Sequence, residues 1–138
     1  MAQREQDARI GSLEEFWPFY LSEHRDPLSR RLHFLGTSGF VASVAASAAT
    51  SPIAFPFAAA GIAAVVRDGV RREADAPPRG HVAAVLGIGT ATSPLLFPAG
   101  VAFAYGCAWA GHFLVEKNRP ATFRYPLMSL VSDFKMWG

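Results

Sequence analysis

Charge is absent from two long stretches of this chain: no Asp, Glu, Lys or Arg occurs from Leu32 to Val66 or from His81 to Val115. One bilayer crossing takes roughly 20 residues and as few as about 17, so each stretch can cross twice with short helices. With 51% hydrophobic residues overall, the distribution points away from a soluble domain and towards an integral membrane protein. Cysteine is nearly absent too. Cys107 stands alone, which excludes an internal disulfide and a cysteine-pair zinc site. There is no Gly-x-Gly-x-x-Gly run between a strand and a helix to cradle a phosphate, and Ser22 lying two residues before His24 does not make a triad. Met1 to Glu15 has no apolar core ending in a cleavage site, so the first apolar stretch is expected to act as the insertion signal. The net charge of +2 is spread along the edges of the apolar stretches. That pattern orients a protein in a membrane and is not a phosphate-binding stripe, so no nucleic acid partner is expected.

The pattern that is present reads as one all-α domain over 1–138, with 1–11 a polar, flexible N-terminus. Ser12-Leu13-Glu14-Glu15 has the form of a capping box, and Leu13, Phe16, Trp17, Tyr20 and Leu21 follow on one helical face. Pro18 is expected to kink this helix, whose aromatic face suits a membrane interface. Each apolar stretch contains one copy of a short echo, Ala49-Thr50-Ser51-Pro52-Ile53-Ala54-Phe55-Pro56 and Ala91-Thr92-Ser93-Pro94-Leu95-Leu96-Phe97-Pro98. Proline ends one helix and opens the next, so each stretch reads as a helical hairpin with an uncharged tip. The expectation is a bundle of about four transmembrane helices, crossing near Leu32–Ala49, Pro56–Val70, His81–Thr92 and Pro98–Val115. A second interfacial helix opens at Pro126, with Trp137 at headgroup depth. Arg30, Arg31, Arg67, Arg71, Arg72, Arg79, Lys117, Arg119 and Arg124 then share one side, which the positive-inside rule makes cytoplasmic, with both termini. Gly and Ala along the crossings suit close helix approach, and no feature fixes an oligomeric state.

The same topology brings all four histidines, His24, His33, His81 and His112, to one membrane level. Histidine is the commonest metal ligand among side chains. On a helix His112 and Glu116, four apart, share a face. Glu116 is open to three roles: ligand, acceptor that orients His112, or partner of Arg119. Arg119 is either a topology anchor or a clamp for a substrate carboxylate, a task suited to its planar guanidinium.

Phe19-Tyr20-Leu21-Ser22-Glu23-His24-Arg25-Asp26-Pro27, His33, and Gly111-His112 followed by Glu116-Lys117-Asn118-Arg119-Pro120-Ala121 resemble a small membrane-protein family. It is typified by the yeast 2-hydroxy fatty acid dioxygenase of phytosphingosine degradation. The resemblance covers 16–36 and 109–131, and the Asn-Arg-Pro-Ala-Thr-Phe-x-Tyr-Pro ending is most similar to the short bacterial members. It implies an Fe(II)-dependent enzyme of fatty acid α-oxidation in a bacterial inner membrane, using dioxygen to shorten a 2-hydroxy fatty acid by one carbon. It further implies His24, His33 and His112 as iron ligands, with Glu116 and Arg119 in supporting catalytic roles. His81 has no counterpart in the family's pattern and stands as a further metal candidate only. Two other readings stay open. One is a non-catalytic membrane protein that binds a partner or lipid through its basic cytoplasmic edge; the other is a different metal-dependent lipid hydroxylase or hydrolase.

Overall fold

In the computed structural model, which describes residues 8–138, Asp26 and Pro27 set the start of the longest helix. Asp26 accepts from the Leu28 N–H (2.7 Å) and Pro27 occupies the first turn, so the orphan N-terminal donors are partly satisfied. That helix, α2 (Pro27–Thr50), follows a short α1 (Leu13–Ser22) and precedes α3 (Ala54–Arg72), α4 (Arg79–Thr92) and α5 (Leu96–Trp109). A π-helical segment (Ala110–Glu116) continues α5, and a 3₁₀ turn (Ala121–Phe123) leads to α6 (Pro126–Trp137). The described residues contain six α-helices and no strand. Ser12 caps α1 as expected, its Oγ accepting from the Glu15 N–H, whereas Glu15 reaches one residue past the cap to accept from the Gly11 N–H (both 3.2 Å).

Each expected crossing falls on a helix, and among the described residues α2 is the one helix long and apolar enough to cross a membrane. α3 ends in Arg67, Asp68, Arg71 and Arg72; α4 and α5 have 14 residues each, although α5 runs straight into the π-helical segment. The two echo motifs become the α2–α3 and α4–α5 turns. Their tips meet, with Ser47 Oγ donating to Ser93 Oγ (2.9 Å) and Ser51 Oγ to the Thr92 carbonyl (3.2 Å). Ile53 and Leu95, at the two tips, are 82% and 78% exposed.

Chain neighbours are not packing neighbours here. α2 lies chiefly against α5 and α3 against α4, whereas α2–α3 and α4–α5 touch little. The cause is legible along α2: a Cβ added at Gly36 would stand 2.9 Å from Cys107 Cβ and 3.0 Å from the Ala104 carbonyl oxygen, so only glycine permits this approach. The hairpins therefore splay, and the two helix pairs face each other across a cavity of about 840 Å³.

α1 departs from its expected placement. Its helix runs through Pro18, and Phe16 and Tyr20 turn inward to pack with Ala121, Tyr125 and Met128. The aromatic face thus finds protein partners, Tyr125 among them at a ring separation of 5.3 Å from Phe16. Lys135 sits 4.2 Å over the Trp17 ring, and Trp137 donates to Ser38 of α2 (2.9 Å). Of the expected polar stretch 1–11, residues 1–7 lie outside the described residues, while Arg9 donates to the Glu73 carbonyl (2.9 Å) and Ile10 to the Tyr125 hydroxyl (2.8 Å).

Glu73, wholly buried between α3 and α4, closes this end of the fold. Its two carboxylate oxygens accept from the Leu127 and Met128 N–H groups (2.9 and 2.6 Å) at the start of α6. Burial pushes its carboxyl up, against the two N–H bonds and the charge of Arg9. Glu73→Ala strands two buried donors, each costing about 1–3 kcal/mol, so a loss of about 3 kcal/mol is expected in denaturant unfolding of the micelle-held protein. Glu73→Gln, which keeps one acceptor, is expected to fall between.

Candidate metal centre

Three elements deliver three histidines to one point. His24 sits in the turn after α1, His33 on α2 and His112 in the π-helical segment; all three are buried. One ring nitrogen of each lies within 4.8 Å of the others, and the ring centroids are 4.3, 4.6 and 5.0 Å apart. Gly111 makes the approach possible, since a Cβ there would stand 3.0 Å from Ser29 Oγ and 3.4 Å from the His33 ring.

The second ring nitrogen of each histidine fixes its tautomer. Nδ1 of His24 faces the Tyr20 carbonyl (2.7 Å) and Nδ1 of His33 the Ser29 carbonyl (2.9 Å). A carbonyl only accepts, so both Nδ1 atoms carry the proton. Nδ1 of His112 meets Asn118 Oδ1 (2.8 Å), an orientation set because Asn118 Nδ2 donates to the Glu23 carbonyl and carboxylate (3.0 and 3.1 Å). The Nε2 atoms of His24 and His33 face each other at 3.0 Å. Burial pushes the His24 imidazole down to about 3 and that of His33 down to about 4, so both are held neutral. Three buried imidazoles with converging rings, each oriented by a second hydrogen bond, are a fitting donor set for a divalent transition metal.

The other sequence candidates fall outside this cluster. His81 Nε2 lies 2.7 Å from Asp68, which also pairs with Arg72 (2.7 Å). Glu116 accepts from the Asp26 N–H (2.8 Å), tying the segment that carries His112 to the turn that carries His24. The guanidinium of Arg119 rests 5.1 Å over the Phe123 ring, and no Glu116–Arg119 ion pair forms among the described residues. Asn118 was hidden in the sequence: it stands in the Glu-Lys-Asn-Arg-Pro run, but its spacing from His112 fits no α-helical face. It reaches back because the segment is π-helical and Lys117 turns left-handed (φ 55°), with the Asn118 N–H closing on the His112 carbonyl (3.0 Å).

The histidines form part of the wall of the cavity, which continues past Thr37, Phe40 and Val44 of α2 to Ser47 at the hairpin tips. Beside His24, the Tyr20 ring stands 4.2 Å away and its hydroxyl donates to Asp133 of α6. Burial pushes the Asp133 carboxyl up to about 6 and the Tyr20 phenol above its ordinary value.

Fold and site together define an all-helical protein in which a buried three-histidine centre opens onto a long apolar cavity. A family model described as "2-hydroxy-palmitic acid dioxygenase Mpo1-like" matches residues 10–138, and the chain belongs to this Mpo1-like family. Comparison with curated proteins and with solved structures finds no match in either. The family description names a dioxygenase of a 2-hydroxy fatty acid. Together with α2, it associates the chain with lipid and membrane.

Proposed function

We propose that this protein is an Fe(II)-dependent dioxygenase that shortens 2-hydroxy fatty acids by one carbon. The observation that carries the reading is the set of three buried, converging imidazoles opening onto an apolar cavity. His24, His33 and His112 would hold the metal. Iron(II) bound there would supply the one-electron chemistry that lets dioxygen react with a closed-shell acid. Tyr20 O, Ser29 O and Asn118 Oδ1 keep the Nδ1 protons in place and so hold the rings in the ligating orientation. Glu116 positions the His112 segment against the Asp26 turn, and the aliphatic walls exclude water while the acyl tail lies between the helix pairs. The reaction balances with one dioxygen per substrate: the hydroxy acid and dioxygen give the acid one carbon shorter, carbon dioxide and water.

The same reading makes α2, α3, α4 and α5, the last with its π-helical extension, four crossings of a bacterial inner membrane. The basic residues at the histidine end and both termini are then cytoplasmic, as the positive-inside rule directs. The exposed apolar side chains on these helices, such as Phe34, Phe57 and Leu114, support contact with lipid.

The test is purification in detergent, metal analysis, and mass spectrometry of 2-hydroxypalmitic acid incubated with the iron-loaded protein. Stoichiometric iron and a dioxygen-dependent acid one carbon shorter are expected. A product with every carbon retained would make the protein a hydroxylase, turnover without dioxygen a hydrolase, and either result overturns the proposal.

A further inference from the structure

Among the described residues that line the cavity, Arg67 and Arg71 alone carry a permanent positive charge. Four apart on α3, they share one face of the helix. The single carboxylate of α3, Asp68, lies on an adjacent face and is taken by Arg72 and His81, both at 2.7 Å. Glu73, the next acid along the chain, is turned to the N–H groups of Leu127 and Met128. The one acid in the cavity wall, Asp133, receives the Tyr20 hydroxyl. Arg67 and Arg71 have no ion pair or hydrogen bond among the described residues.

We infer that Arg67 and Arg71 bind the carboxylate of a long-chain fatty acid whose tail fills the cavity. Two guanidinium forks beside an apolar volume are the complement of an amphiphile with an anionic head. The volume of about 840 Å³ lies within the range of roughly 300–1,000 Å³ typical of ligand pockets. From His33 to Ser47 the cavity follows α2 for about 21 Å at 1.5 Å per residue, deeper than the ~15 Å hydrocarbon half of a bilayer. A fatty acid seated head-up at Arg67 and Arg71 thus keeps the orientation it has in a leaflet. The assignment moves the carboxylate clamp from Arg119, which lies on Phe123 outside the cavity wall, to α3. It deepens the proposed function and rests on that reading only in placing a fatty acid in the cavity.

The test uses the full-length, metal-free protein in uncharged detergent, with calorimetric titration of 2-hydroxypalmitic acid and of its methyl ester. The wild type is expected to prefer the acid. Arg67→Ala/Arg71→Ala is expected to weaken acid binding about tenfold or more, the scale of a lost charge-assisted hydrogen bond, with the ester unchanged. Arg67→Lys/Arg71→Lys should recover part of the loss. Arg31→Ala, which removes a cation outside this cavity, should leave both ligands unaffected. Equal binding of acid and ester by the wild type, or an equal loss with Arg31→Ala, overturns the assignment. So does stoichiometric displacement of the acid by phosphatidylglycerol, which would make the anion a lipid headgroup. Because no metal or turnover enters the measurement, an inactive enzyme leaves this result standing. Absence of any acid binding overturns both readings, whereas lost discrimination with binding intact overturns this one alone.

Discussion

His24→Ala, His33→Ala and His112→Ala are each expected to reduce bound iron from one per chain to background and to bring turnover down to that of a protein-free control. Each substitution leaves two imidazoles in a buried site, while the carboxylates around it are committed elsewhere: Glu116 to the Asp26 N–H, Glu23 to Asn118 and Asp133 to the Tyr20 hydroxyl. His81→Ala is the matched control. It removes a histidine at the same end of the fold, but one bonded to Asp68, and both iron and activity should persist. Asn118→Ala should give an intermediate result. The orienting acceptor of His112 is lost while the ligand stays, a change that typically costs 10–100-fold in metal affinity. Thermal unfolding gives a readout independent of turnover. At a free iron concentration 1,000 times the dissociation constant the wild type should gain about 4 kcal/mol, and the three alanine variants almost nothing.

The second large effect is expected where no ligand is touched. Gly36 is one turn beyond His33 on α2 and meets α5 at backbone distance. Whatever its rotamer, a leucine at position 36 would place its Cβ 3.0 Å from the Ala104 carbonyl oxygen, which belongs to a helix and cannot swing aside. α2 and α5 must separate, and with them His33 and His112, which the two walls carry. Gly36→Leu is therefore expected to destabilise the fold by about 3 kcal/mol, the upper end of core overpacking, and to lower iron affinity at least tenfold. Denaturant unfolding and iron titration on the same preparation measure both. Unfolding without a change in iron affinity would mean that the α2–α5 contact does not set the site.

How much of this was legible beforehand depends on what each signal reports. The uncharged stretches and the Ser-Pro echoes place helices and turns because charge and proline act locally; each echo does hold the turn between two helices, although the second helix of each pair starts two residues ahead of the expected Pro56 and Pro98, at Ala54 and Leu96. All four histidines stood out as polar residues at apolar borders, and the family resemblance singled out His24, His33 and His112; the structure brings these three together and leaves His81 on Asp68. The direction of the apolar faces was not legible. In a chain this rich in apolar residues, periodicity shows that a face is apolar without showing whether lipid or protein covers it. The aromatic face of α1 could be assigned to an interface for that reason, although Phe16 and Tyr20 pack against Tyr125 and Met128. The pairing of α2 with α5 was hidden for the same reason, and with it the cavity that Arg67 and Arg71 face. Asn118 was missed because its reach to His112 depends on a backbone turn that side-chain spacing does not encode.

That turn also separates two tasks along the chain. An α-helix closes a turn in 3.6 residues, and the Ala110–Glu116 segment takes up about one residue more per turn. Removing one codon between Trp109 and His112 would let the helix run on in regular register, with every apolar residue before it undisturbed. His112 would then lose the angular position about the helix axis that brings it to His24 and His33. The apolar run of α5 and the meeting of the three histidines are thus set by different stretches of chain: the helix up to Trp109 walls the cavity, and the wide turn after it decides where His112 points.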